Sequence, residues 1–468
     1  MFRKFVFVAS ILLGLAQVSA QAQGQGSAPA SHSTERLTAQ VEEYMAAAVR
    51  VSHFSGSVLL ARDGRPVFRG AYGMANQELD VPNTPQTVFR LGSLTKAFTA
   101  AAVMLLQERG KLQVSDRICS HLSDCPAEWQ RITIRNLLSH TSGITSYTDL
   151  PDYQKTMGTP VTHDLQIARF RGLPLEFGPG EKYRYSNSGY YLLGVIIERA
   201  SGKPYADFLQ ENIFQPLGMT SSGYDSSRRI IKNRASGYQM QGEAVVNALP
   251  IDMSVPYAAG ALVSTVDDML RWDQALFTGK LLSRKSLDEM LTPSKASEDY
   301  GYGWTIHRRF ERQVIEHNGG INGFMTSVSR FPADNVTVIV LSNNGNFSTR
   351  PTANDLSAIM LGAPYKVPEE RRIITGDAAT LSKYVGQYQF SADVAPPAGA
   401  LNTVTLENGR LMRQVNAGPK VELFPISDTE FVMKGIDTQF FFNVNAEGRA
   451  TGLTIRRAGR DLTGAKIK

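Results

Sequence analysis

The chain reads as an α+β protein: a mixed antiparallel sheet whose first and last strands are separated by a long helical insertion, followed by a small all-β barrel-like domain. Three observations carry that expectation. Strand-like runs at residues 55 to 73 and again at 302 to 343 bracket a middle section of helical segments and Gly/Pro turns. A charged, Pro-containing stretch, APYKVPEERRIITGD at 363 to 377, then interrupts the chain. Beyond it come short alternating runs broken by turn residues, the pattern of a small sandwich or barrel.

The chain opens with MFRKFVFVASILLGLAQVSA, in which Arg3 and Lys4 precede an apolar run from Phe5 to about Val18 and a small-residue pattern at Val18-Ser19-Ala20. A spanning helix needs ~20 apolar residues and this run is shorter, so residues 1–20 read as a cleaved secretory signal. A periplasmic or secreted protein with no stable membrane anchor after cleavage is expected. Residues 21–35, polar and rich in Gly, Ser and Gln, read as a flexible lead.

The main domain is expected over residues 36–362. SGSVLLARDGRPVFRGAYG at 55 to 73 sets Asp63-Gly64 between two strand-like runs, a strong hairpin signal. Helix formers then run from 93 to 109 and stop at Gly110, suited to a left-handed C′ position. Strand character returns in YGWTIH, QVIEH, FMTSVSRF and NVTVIVLSN. Residues 363–377 form a linker, and from 378 to 468 runs such as YVGQYQF, RLMRQV and TQFFFNV give the all-β domain.

The 49 basic and 43 acidic residues are scattered, so no basic stripe points to nucleic acid. Cys119 and Cys125 are the two cysteines; in an exported protein they are expected to form a disulfide, worth ~2 kcal/mol for so short a loop. Neither has neighbours of zinc-site spacing, and no metal or cofactor is implied.

Chemistry enters at FRLGSLTKAFTAAAV, where Ser93 stands three residues before Lys96. On a helix that spacing puts both on one face, where a neutral amine can activate a hydroxyl. Taken alone, S-x-x-K is also an ordinary helix start with a capping serine and a solvated lysine. Two further stretches weigh against that plain reading: Tyr185-Ser186-Asn187, in a turn before an apolar helix, and His317-Asn318-Gly319, after a strand. In this order the three motifs resemble those of the serine β-lactamase and penicillin-binding-protein superfamily, S-x-x-K, then Y-x-N, then K-T-G or H-x-G. ITIRNLLSHTSGI, FGPGEKYRYSN, FQPLGM and AAGALVSTVDDMLRW are similar to flanking words of its class C-like branch, which includes D-aminopeptidases, esterases and D,D-peptidases. The resemblance covers about residues 40 to 360.

The resemblance implies that Ser93 is acylated, Lys96 is its base partner, and Tyr185 shares the proton transfers. It implies that Asn187 hydrogen-bonds substrate or positions Lys96, and that the amides of Ser93 and Gly320, after His317 and Gly319, bind the oxyanion. His140, in LLSHTSG, falls in a segment read as structural and outside the site.

Family members that destroy or bind penicillins generally carry Lys in the third motif; here His317 replaces that cation. A neutral imidazole anchors a substrate carboxylate weakly while keeping its hydrogen bonds. Small esters and D-amino-acid amides or peptides are therefore the expected substrates, with peptidoglycan fragments as further candidates. The same residues serve a class C-type β-lactamase or a D,D-carboxypeptidase, and a non-catalytic penicillin- or peptide-binding protein is the alternative of another class. The C-terminal domain resembles the lipocalin-like domain often appended to this family.

Overall fold

The computed structural model describes residues 29–241, 244–370, 372–391, 400–433, 436–457 and 460–468. The expected signal, residues 1–20, lies outside them, as do residues 21–28 of the lead. Residues 29–35 correct the expectation of a flexible stretch, because they belong to helix α1 (Pro29–Ser52). Val41, Tyr44, Met45 and Ala48 give this helix a buried stripe at helical spacing, and the polar residues extend its front end.

The main sheet has six strands: β1 (Gly56–Arg62), β2 (Arg65–Tyr72), β3 (Thr305–Arg309), β4 (Arg312–Ile321), β5 (Phe324–Phe331) and β6 (Val336–Ser342). Their order is β3-β4-β5-β6-β1-β2, and every pairing is antiparallel. Asp63 and Gly64 make the β1–β2 turn with φ of 51° and 72°, the left-handed values a two-residue hairpin loop requires. Both faces of the sheet are covered, which is why β1 and β6 read as continuous apolar runs. Val58, Leu60, Val336, Val338 and Val340 pack under α1 and a C-terminal helix, Thr349–Leu361, while Leu59, Ile339 and Leu341 face the helical insertion.

Within the insertion lie α2 (Thr95–Glu108), α3 (Ile134–Leu138) and α4 (Asn187–Ser201). α2 is buried on nearly all sides, and α4 packs along it. Gly110 follows α2 with φ 65°, ending the helix as a C′ residue. Cys119 and Cys125 are joined by a disulfide, their Cα atoms 5.4 Å apart.

After Leu361 no helix or strand forms among the described residues until Ala378. The C-terminal domain is a closed barrel of eight strands from Gly386 to Lys466, its last strand pairing with its first. Tyr388, Phe390, Leu411, Phe431, Phe440 and Phe442 are buried together in its core, so side chains fill the barrel.

Candidate active site

Ser93 sits in a single 3₁₀ turn, Gly92–Leu94, that runs directly into α2. β3 pairs with β4 only as far as Glu316, and the turn is seated against the remainder of β4. Two glycines permit this approach. Gly92 has φ 54°, and a Cβ there would lie 2.9 Å from the Gly320 backbone. On Gly319 a Cβ would come 1.9 Å from the Leu91 carbonyl oxygen. The Thr326 hydroxyl donates to that same carbonyl at 2.7 Å, fixing the turn on the sheet. The exposed Gly320 backbone thus lies beside the Ser93 turn, as an oxyanion-binding pair of amides requires.

Lys96, one helical turn on, is fully buried. Its Nζ lies 2.8 Å from Asn187 Oδ1, 2.8 Å from the Ala259 carbonyl oxygen and 3.1 Å from Ser93 Oγ. Among the described residues it forms no ion pair with a carboxylate, and burial pushes its pKa well below the ordinary lysine value. The contacts suit a neutral amine: two N–H groups donate to the two carbonyl acceptors, and the lone pair is left for the Ser93 hydroxyl.

Tyr185 precedes α4, and its ring lies 4.8 Å from Lys96 Nζ. Burial raises its hydroxyl well above the usual tyrosine range, while a hydrogen bond with Ser93 acts the other way. The phenol therefore keeps its proton at neutral pH. Ser186 caps α4, and the Asn187 amide donates to Ser146 Oγ at 3.0 Å. The Asn187 side chain donates from Nδ2 to Thr148 Oγ1 at 3.1 Å, so Oδ1 is aimed at Lys96.

His317 is buried, with both ring nitrogens engaged inside the protein. Nδ1 lies 2.7 Å from the Asn318 carbonyl oxygen, which makes it the N–H donor, and Nε2 accepts from the Tyr300 hydroxyl at 2.8 Å. Burial, reinforced by the nearby Lys96, lowers its pKa to about 4. The sequence reading gave His317 hydrogen bonds to substrate; in the structure those bonds go to Tyr300 and Asn318.

His140 differs more from its expectation. Its ring lies 4.2 Å from that of Tyr185, centroid to centroid, and its Nδ1 accepts the Ser186 amide at 3.1 Å. It therefore adjoins the site, where the sequence reading put it outside. Tyr300 and the Ala259 carbonyl were also missed. Tyr300 lies in the aromatic- and glycine-rich stretch DYGYGW, which is the signal that marks it, whereas a backbone carbonyl carries no side-chain signature. The turn before Ala259 also borders a separate space: Tyr257, with His163, Glu198, Tyr205 and Tyr224, lines a cavity of about 400 Å³ to which none of the Ser93 group contributes.

A family model described as Beta-lactamase matches residues 37–360, and one described as Domain of unknown function (DUF3471) matches residues 370–466. Penicillin-binding protein 4* of Bacillus subtilis (strain 168) is 32% identical over 424 residues, covering 84% of this chain and 91% of the relative. A penicillin binding protein from Bacillus halodurans gives a TM-score of 0.61 at 28% identity, covering 68% of this chain and 98% of that one. The D-amino acid amidase from Ochrobactrum anthropi SV3, solved with L-phenylalanine, gives a TM-score of 0.59 at 26% identity, covering 71% and 97%. Motif order, fold and these likenesses agree, and the chain belongs to the β-lactamase and penicillin-binding-protein superfamily of serine hydrolases.

Proposed function

We propose that this protein is an exported acyl hydrolase that forms an acyl-enzyme on Ser93 and turns over small esters or D-amino-acid amides and peptides. The observation that carries the reading is the buried, carboxylate-free Lys96 whose Nζ lies 3.1 Å from Ser93 Oγ. Lys96 takes the Ser93 proton as Oγ attacks the substrate carbonyl. The amides of Ser93 and Gly320 hold the oxyanion. Tyr185 gives its proton to the leaving alcohol or amine and regains one from Lys96, so the net transfer is from Ser93 to the leaving group. Water then attacks the acyl carbon, its proton returns through the same pair, and Ser93 recovers its hydroxyl.

The neutral His317 supports the substrate ranking. It supplies no permanent cation for a carboxylate, and the likeness to a D-amino acid amidase agrees with amide or ester substrates. Export is supported by the apolar run at 5 to 18 and by the Cys119–Cys125 disulfide. A second reading, acylation by penicillins without efficient turnover, is favoured by the penicillin-binding relatives. Intact-protein mass spectrometry with p-nitrophenyl esters, D-alanyl amides, a penicillin and a chromogenic cephalosporin separates the two. Transient adducts and turnover with esters or D-amides are expected, all abolished in Ser93→Ala. Efficient cephalosporin turnover dependent on Ser93 would overturn the ranking.

A further inference from the structure

His140 carries two costs that a passive core residue avoids. It occupies the C′ position after α3 with φ 55°, a left-handed place normally given to glycine. The helix end is otherwise regular: the His140 amide donates to Leu137 O at 3.3 Å and the Thr141 amide to Asn136 O at 2.8 Å. A β-carbon in that conformation costs on the order of 1 kcal/mol. Its buried Nε2 has no hydrogen-bond partner among the described residues. Because Nδ1 accepts an amide, the ring proton sits on Nε2, so this is a donor left unpaired.

What offsets these costs is the grip on Tyr185. The backbone on either side of Tyr185 is bound to this one residue: the Arg184 amide donates to the His140 carbonyl at 2.9 Å and the Ser186 amide to its Nδ1 at 3.1 Å. Between those bonds the two rings pack at 4.2 Å. The same imidazole lies 4.8 Å from the ring of Tyr300, whose hydroxyl donates to His317 Nε2. One side chain therefore touches the supports of the second and third motifs together.

We propose that His140 is the positioning residue that sets the Tyr185 hydroxyl at Ser93 and, through Tyr300, holds His317. The inference rests on the reading of Ser93 as an acylated nucleophile. It acts through Nδ1 as an acceptor, so an asparagine, whose amide oxygen reaches the same place and which tolerates a left-handed backbone, is the conservative replacement. Phenylalanine keeps the ring but lacks the acceptor, and glutamine places its amide too far along.

The test is the rate of labelling by a phenyl phosphonate ester, whose departing phenol takes the Tyr185 proton, of full-length wild type and of His140→Phe, His140→Gln and His140→Asn, with inactivation rate and affinity fitted separately and scaled to folded protein. Expected is a fall of about 10²-fold in the inactivation rate for Phe and Gln, the size of effect a misplaced reacting group produces, with little change in affinity. Asn should recover to within about tenfold of wild type. If the Phe variant does not fold, the Gln and Asn pair gives the same comparison. Phe or Gln labelling at the wild-type rate overturns this inference alone, as does an Asn variant as slow as Gln. A wild-type Ser93 silent to the reagent overturns both this inference and the function it rests on.

Discussion

Glu316 and Lys96 are two charged residue types shut away from water in the same domain, and they are treated in opposite ways. Glu316 is 1% exposed and held by two guanidinium groups and an imidazole: Arg309 reaches both its oxygens at 2.8 and 2.9 Å, Arg350 donates at 3.0 Å, and His307 Nε2 lies at 3.1 Å. Burial alone would raise its pKa, but these partners hold it well below the usual carboxylate range. Lys96 is 0% exposed and meets only neutral acceptors. The first arrangement keeps a charge and braces the strand leading to His317. The second disfavours a charge, at the expense of stability, and on the proposed mechanism it makes the amine available as a base.

The largest expected effect comes from Lys96→Met. General-base loss should slow acylation by about 10⁴-fold, while removal of a buried amine leaves the melting temperature unchanged or higher. Labelling kinetics and calorimetry on one preparation check both halves; a large drop in melting temperature would mean Lys96 is structural after all. The pH dependence sharpens the contrast. As a base with a lowered folded pKa, Lys96 makes the folded chain hold fewer protons than the unfolded one, so its cost to stability shrinks as pH rises toward about 10.4. Lys96→Met should flatten that alkaline rise in urea midpoints.

Next in size is Glu316→Gln, which leaves Arg309 and Arg350 facing an amide and should cost about 3 kcal/mol in urea unfolding. Glu316 has a lowered folded pKa, so its stabilisation is complete above about pH 4.3 and is lost as pH falls toward the folded value. The variant should lose that acid dependence. A loss under about 1 kcal/mol would remove the bracing role.

The smallest effect is expected from His317→Lys. Wild-type activity should fall as pH drops through about 4, when the imidazole gains a charge beside Lys96. In the variant that inflection should vanish, and preference for carboxylate-bearing acyl donors should rise about tenfold, the value of one added charged hydrogen bond. An unchanged pH profile would take His317 out of the mechanism.

The legible parts of the molecule were those written in local chemistry. Asp63-Gly64 announces its turn, the period-2 runs after residue 381 announce the barrel, and Ser93, Lys96, Tyr185, Asn187 and His317 stand in short motifs whose order carries the family. What stayed hidden depends on tertiary placement. Ala259 acts through a carbonyl that any residue offers, Tyr300 reaches His317 across a loop, and His140 meets Tyr185 only because the loop after α3 folds under the one before α4. The front of α1 was missed for a related reason: its polar residues have no periodicity of their own and are carried by the apolar stripe behind them.

The register of β1 has a consequence for how the protein is made. Gly56 pairs with Ser342, so during synthesis β1 waits for a partner 286 residues behind it. At ~5–20 residues per second, synthesis alone keeps that partner away for roughly 15 to 60 seconds. For that interval the hairpin carries a bare apolar edge with Val58, Leu59 and Leu60 uncovered, an invitation to pair with the wrong strand. Completion of the main sheet therefore waits for β6, and depends on keeping β1 apart from other chains until β6 arrives.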